Sequence, residues 1–456
     1  MSTTNVGASI LAGSQSTTSS GGLGSGIDVS ELVAAAMANQ TAELTTLQDQ
    51  QTQITDQQTA LNSFNTDLQT LQNSVFALTD PVGQLTQVAA TSSDSSVVSA
   101  IAASGTPTGT YSVQVTNLAT TSSEYSAEVA SSSTPLTTGT ISIQVGTNTA
   151  VPIAVTSSNN TLDGIAQSIN SANAGVTASV ITDANGARLS IVSNTSGAPG
   201  DLTVTATTGL PAFTKAVTGV NASLTVDGIP IASTTNTVSS AIPGVTLSLN
   251  SQSPGENVTI STAPDITQQE NAINSFVSAY NTVIGDLNNQ FAINPNTNQP
   301  GPLASDSTLS LAQSQILAAA SFATTGNGSV NSLGDLGISF NDDGTLSVDS
   351  GTLATALQSN PSAVQSFFQA TSTGSFGANL TSNLSALADP ITGSIATDIT
   401  GLQQTQTALS QQISDFQDQL TATQQALTTQ YNQVDVTLQE LPLLLAQVNQ
   451  QLTAIG

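Results

Sequence analysis

The chain has 456 residues, enough for two to four domains, and carries 29 Asp and Glu against 2 Lys and Arg, a net charge of −27. Only 7% of its residues are charged, against roughly 25% in an average soluble domain, so the acidity comes from missing bases. Without bases to neutralise phosphate, no nucleic-acid partner is expected, and an anionic membrane surface repels the chain. The absence of Cys and His removes thiol chemistry, imidazole bases and Cys/His metal sites.

Arg188 and Lys215 are the only fixed positive side chains. Interfaces must therefore rest on apolar packing and on hydrogen bonds of Gln, Asn, Ser and Thr. No basic residue precedes Arg188, so the positive n-region of a secretory signal is missing, and no run of about 18 apolar residues reads as a membrane span. Either the protein stays inside the cell, or it leaves by a route without a cleaved signal peptide.

Residues 1–26 are Ser, Thr and Gly with few large apolar groups, and disorder is expected there. A long helix follows over Val29–Leu78. Leu47, Ile54, Leu61, Leu68 and Val75 recur every seven residues, Phe64, Leu71 and Leu78 fill the second seam, and the stem is counted from Leu44. From Leu44 to Leu78 it spans roughly 50 Å, and Pro81 and Gly83 end it.

β-sequence comes next. Thr110–Leu118, Thr140–Val145, Ala178–Thr182, Arg188–Val192, Leu202–Thr207, Leu224–Val226, Ile229–Ala232, Val245–Leu249 and Val258–Thr262 are short and alternating. Asn185-Gly186 and Asp227-Gly228 read as two-residue hairpin turns. One helix interrupts, Leu162–Ala172, with Thr161 as N-cap.

From Asp265 the pattern returns to helix. Thr267–Glu270 reads as a capping box, and Ile273, Phe276, Val277, Tyr280, Val283, Ile284 and Leu287 form one apolar stripe. Residues 306–321 form a further helix, and residues 338–349 a hairpin around Asn341–Gly344. Asn360-Pro361 opens a helix carrying Phe367 and Phe368.

The C-terminal stretch repeats the heptad pattern. Ile399, Leu402, Leu409, Ile413, Phe416, Leu420, Leu427, Tyr431, Val434, Leu438, Leu441, Leu445, Val448, Leu452 and Ile455 keep three-, four- or seven-residue spacing, with a stutter near Leu427. Pro442 should break or kink this helix, because its ring clashes with the carbonyl of Leu438. It is read as a hinge.

The pattern implies a multidomain α+β fold. Antiparallel terminal helices form a coiled-coil stem, and β-rich head domains are inserted between them. The expected parts are a disordered segment with the helix start at 1–42, a helical leg from 43–86 and 266–435, a β-rich head from 87–125 and 219–265, a second inserted head at 126–218, and a mobile C-terminal helix at 436–456. Leu44–Leu78 and Ile399–Val434 should close the stem. Ile10–Met37, with Leu32, Val33 and Met37, and Leu438–Ile455 should be free for assembly with other molecules.

Catalytic readings are weak. Asn341–Gly344 does not complete a calcium loop and reads as a turn. Asp415 and Asp418 lie on the solvent face of a heptad helix, where nothing raises a pKa for glycoside hydrolysis. Gly22–Gly26 lacks the Lys and the preceding strand of a phosphate loop. With no convergent catalytic set, neither an enzyme nor a bound cofactor is expected.

Several stretches carry a resemblance. They are Gly22–Val29 with Leu32, Val33 and Met37; Ala222–Leu249; Phe276–Asn281; Gly301–Leu309; and Leu336–Phe340 with Asp343–Leu346. In this order, bracketed by heptad helices, they resemble the bacterial flagellar filament cap family, also called hook-associated protein 2. Thr161–Val192 is similar to a small repeat inserted in flagellins. The resemblance implies an extracellular, ring-shaped homo-oligomer at the filament tip. Such a cap shelters and steers incoming flagellin, and an export chaperone is a further implied partner. The competing expectation is a surface adhesin or surface-layer protein, on account of the Thr-rich β-sequence.

Overall fold

The computed structural model describes residues 28–296, 298–369 and 374–455, with side chains described to residue 451. The expected disorder of residues 1–26 lies outside that range. The chain divides into two compact units. A helical unit comprises the chain up to Phe76, Asn274–Leu353 and Ser366 onward, and a mainly β unit comprises Ala77–Ile273 with Ala354–Gln365.

Helix α1 (Val29–Thr79) starts at Asp28, whose carboxylate accepts the N–H of Ser30 at 2.9 Å. In the β unit, β1 (Val88–Ser92), β15 (Val258–Pro264), β3 (Gly109–Asn117), β11 (Ala222–Val226) and β12 (Ile229–Ser233) form one antiparallel sheet in that order. β13 (Thr237–Ile242), β14 (Val245–Leu249) and β2 (Val98–Ala102) form a second. Val98, Val113, Val115, Leu224, Ile242, Leu247 and Ile260 share their core.

A separate core belongs to the inserted sequence. It holds the sheet of β10 (Phe213–Val217), β4 (Thr121–Ser126), β8 (Ala187–Ser196) and β7 (Val176–Thr182), and the sheet of β6 (Val151–Val155), β5 (Gly139–Val145) and β9 (Leu202–Ala206). Helix α2 (Leu162–Ser171) buries Leu162, Ile165 and Ile169 in that core, and Thr161 accepts the N–H of Gly164 at its start. Because β4 lies in this inserted layer, the changeover comes before Thr121, ahead of the expected boundary at residue 125.

The hairpin turns differ in kind. Val226 pairs with Ile229, so Asp227-Gly228 is a two-residue turn, with φ of 51° and 79°. That double left-handed geometry is type I′ and suits Asp-Gly. In contrast, β7 and β8 pair at Thr182 and Ala187. Residues 183–186 are therefore a four-residue loop, corrected from the expected two. Asp183 organises it by accepting the N–H groups of Asn185 and Gly186, an Asx turn that competes with the tighter one.

Helix α3 (Ile266–Phe291), part of the β unit up to Ile273 and of the helical unit from Asn274, begins one residue before the expected capping box. Its cap is Asp265, which accepts the N–H of Gln268 at 3.1 Å, and Gln269 is buried with its amide donating to the Leu85 carbonyl. The stripe Phe276, Tyr280, Val283, Ile284 and Leu287 is buried throughout. Asn281 pins the hairpin of β16 (Ile338–Phe340) and β17 (Leu346–Val348), exchanging two hydrogen bonds with the Leu346 backbone. Helix α4 (Ser307–Ala320) is capped by Asp306.

Helices α5 (Ser350–Ser359), α6 (Pro361–Gln369) and α7 (Phe376–Ala388) follow, with Ala354–Gln365 of the first two belonging to the β unit. Pro361 occupies the first helical position, where its missing N–H costs nothing. Phe376 stacks on Phe367 at 4.5 Å between ring centroids and meets Phe368 edge-on at 5.7 Å. All three rings are buried.

The last helix, α8, runs from Ser394 to Ile455 without interruption at Pro442. The expected helix break is therefore absent. Residues 439–451 are exposed, so water can take the carbonyl that Pro442 leaves unpaired, and the cost of an internal proline falls on no packed neighbour.

Candidate assembly surface

The stem is an antiparallel pair made by α1 and α8. Gln51 donates to Ser410 Oγ at 2.8 Å and Gln406 donates to Thr55 Oγ1 at 3.1 Å, which fixes opposed directions and the register. Val33, Met37, Leu44, Leu47, Leu409, Ile413 and Leu420 are buried together, and Val29, Ile54, Phe416, Leu427 and Tyr431 pack half-buried against them. Val33 and Met37 were expected in a free assembly segment. They are instead inside the stem, because the seam continues in register to the start of α1.

Above this seam the partner changes. Leu61, Phe64, Leu68, Leu71, Val75 and Leu78 are at most 2% exposed. Along that stretch Gln57 donates to the Pro302 carbonyl and Gln72 to Ser385 Oγ. This half of α1 thus lies beside the loop before α4 and beside α7. Ile399 and Leu402 are only half-buried.

Beyond Tyr431 the seam runs off the start of α1. Val434, expected inside the stem, is 47% exposed for that reason. Leu438 is half-buried, while Leu441, Leu445 and Val448 are all exposed. Leu32 is exposed on the near end of α1. The side chains of Leu452 and Ile455, and Ile10, lie outside the described residues. Leu443 and Leu444, at 72% and 54% exposed, add a second apolar face that the heptad reading passed over. The triplet Leu443-Leu444-Leu445 was the available signal, since three consecutive leucines cannot all point into one helical stripe.

An exposed apolar stretch of this kind marks an interaction surface in a soluble protein. It carries no charge from Leu441 onward, and Asp435 and Glu440 are the last charged residues before it. Among the described residues, no helix is long and apolar enough to cross a membrane.

Electrostatics differ between the units. Both bases lie in the β unit, where Arg188 pairs with Glu128 and Lys215 with Asp201 at 2.9 Å. The helical unit has carboxylates only, and two pairs of them meet. Asp286 hydrogen-bonds Asp67 of α1, and its carboxyl is pushed up to about 6 by burial, with that bond and the Asp67 charge adding. Asp398 is raised by burial and then by the charge and hydrogen bond of Asp306. A carboxyl whose folded pKa is raised stabilises the fold at low pH and loses that contribution as pH climbs from about 4 through about 6.

Asp286→Asn mimics the protonated form. After discounting for solvent screening of this half-exposed group, it should stabilise the protein at pH 7 by on the order of 1 kcal/mol. Melting curves between pH 4 and 7 should show a higher melting temperature and a flatter pH slope than wild type. An unchanged slope would remove the Asp67–Asp286 pair from the explanation.

Residues 140–195 match the family pattern described as the flagellin hook IN motif. Residues 25–122 match the N-terminus, and residues 219–442 the C-terminus, of flagellar hook-associated protein 2. The chain is 30% identical to flagellar hook-associated protein 2 of Escherichia coli K12 over 95% of its own length and 97% of the relative. It is 30% identical to the B-type protein of Pseudomonas aeruginosa over 65% of its own length and 68% of that relative. The solved D1, D2 and D3 domains of the flagellar cap protein FliD from Escherichia coli are 27% identical, cover 75% of this chain and 99% of that one, and superpose with a TM-score of 0.61. The chain belongs to the flagellar hook-associated protein 2 family, whose members are structural cap proteins of the bacterial flagellum.

Proposed function

We propose that this chain caps the distal tip of a bacterial flagellar filament, where it promotes folding and insertion of exported flagellin and prevents its loss. The observation that carries this reading is the family match along nearly the whole chain, joined to a stem that leaves one helix end apolar and uncovered. The cap works as a ring-shaped homo-oligomer outside the cell. Leu32, Leu438, Leu441, Leu445 and Val448, with Leu452 and Ile455, supply its grip on the filament. The stem residues from Val33 to Leu47 and from Leu409 to Tyr431 hold that grip at a fixed distance. An export chaperone covers the apolar helix end before assembly.

Deletion of the gene tests the reading. Cells without the protein should release flagellin monomers into the medium, lack filaments and recover both on complementation. Normal motility with lost surface attachment would overturn the cap function in favour of adhesion.

A further inference from the structure

We propose that self-association of this chain is gated by acid and by salt: copies repel one another near neutral pH at low ionic strength and join when their carboxylates are protonated or screened. This inference rests on the homo-oligomer reading above and deepens it.

Charge distribution carries the argument. Eighteen of the 29 carboxylates lie in the helical unit, and neither base does. Two helical units of separate copies can therefore form no ion pair with each other. The β unit holds both bases, and each is engaged within its own chain, Arg188 by Glu128 and Lys215 by Asp201. No cationic side chain is left over for a second copy. The stem presents Asp49, Asp56, Asp415 and Asp418 to solvent on its two helices, so approach of a second stem opposes like charges. A large net charge of one sign keeps proteins monomeric in this way.

The same composition makes acid unusual for this chain. In an ordinary protein, low pH replaces negative repulsion with positive repulsion. Here only 2 bases remain when 29 carboxylates are discharged, so net charge rises from −27 toward +2 and stays small. The apolar stretch from Leu441 carries no ionisable side chain and is free to pack once the flanking repulsion fades.

Internal geometry agrees with the protonated form. Asp286 of α3 lies against Asp67 of α1, and Asp398 of α8 against Asp306 at the start of α4; burial first, and then the neighbouring carboxyl, favours the protonated form of each. Among the described residues, no cationic side chain acts on either pair. Acting against acid are Asp28, Asp94 and Asp343, held low first by Ser or Thr hydroxyls, Asp335 and Asp389, held low first by backbone N–H groups, and Asp201, held low against its partial burial by Lys215, the Gly219 N–H and Ser122. Those turns weaken only below the ordinary carboxylate range, so the favourable window falls between roughly pH 3 and pH 5.

Sedimentation velocity of the purified full chain tests this, in about 10 mM buffer at about pH 7.5, 5 and 3.5, and at about pH 7.5 with about 0.5 M sodium chloride. Circular dichroism monitors the fold in each condition. A monomer at neutral pH and low salt, giving way to a discrete oligomer in acid and in salt, is expected. The combined variant Asp49→Asn, Asp56→Asn, Asp415→Asn and Asp418→Asn should move the pH midpoint of assembly upward by about half a unit or more. The same oligomer in every condition, an unmoved midpoint, or polydisperse precipitate in place of a discrete species overturns the gating. A monomer in every condition, salt and acid included, instead overturns the homo-oligomer reading itself.

Discussion

Replacing Leu441, Leu445 and Val448 together by Gln should abolish capping while leaving the fold intact. All three are exposed on α8 beyond the stem, at 46%, 61% and 49%, so their removal opens no cavity. Gln keeps a helix propensity close to that of Leu, so α8 has no reason to unwind. What is lost is apolar area available to another molecule, at about 25 cal/mol for each Å² that association would bury. Three large side chains treated so should weaken binding by several kcal/mol, or on the order of a hundredfold or more. Cells carrying the variant should release flagellin monomers as a deletion strain does, while the purified protein keeps its melting temperature and its circular dichroism spectrum. Filaments of normal length would show that this end of α8 does not grip the filament.

The largest stability loss is expected for Phe376→Ala. Phe376 is fully buried, stacked on Phe367 and edge-on to Phe368. Truncating a buried Phe costs about 3–5 kcal/mol through lost transfer energy and the cavity left behind, and two ring contacts of about 0.5–1.5 kcal/mol each are lost with it. Denaturant unfolding of the variant should shift by about 3 kcal/mol or more. Phe376→Leu, which refills most of the space, should recover over half of that loss. A shift below about 1 kcal/mol for the alanine variant would mean that the rings are packed more loosely than their geometry indicates.

Long periodic segments were the legible part of the fold. The heptads of α1 and α8 and the stripe of α3 follow directly from apolar spacing, because packing one helix face demands it. β4 was hidden for the opposite reason. Its inward positions are Ser122, Glu124 and Ser126, all buried, so its polar alternation runs backwards. The structure satisfies them with strand N–H groups that no local pattern displays. Leu202 donates to Ser122, Val204 to Glu124 and Leu189 to Ser126. β2, with sequence VSAIA, and β13, with TVSSAI, have weak intrinsic preference and are held by pairing with β14.

At the assembly surface, the sequence correctly marked which residues are apolar but not where the seam stops. Val33 and Met37 fall inside it and Val434 outside. The heptad phase is the same on both sides of Tyr431, and only the extent of the opposing helix decides which side is covered. Register between two distant segments is a tertiary property, set here by contacts such as Gln51 with Ser410.

The placement of the two bases also bears on survival outside a cell. Digestive proteases that cut after Lys or Arg find only two susceptible bonds in this chain, following Arg188 and Lys215. Arg188 lies in β8, paired on both sides by β4 and β7, so its bond cannot enter a protease cleft without local opening, whereas Lys215 lies on the edge strand β10 beside an irregularity in the ladder and is the more accessible of the two. Scarcity of cationic side chains thus leaves an entire class of hydrolytic enzymes almost nothing to cleave.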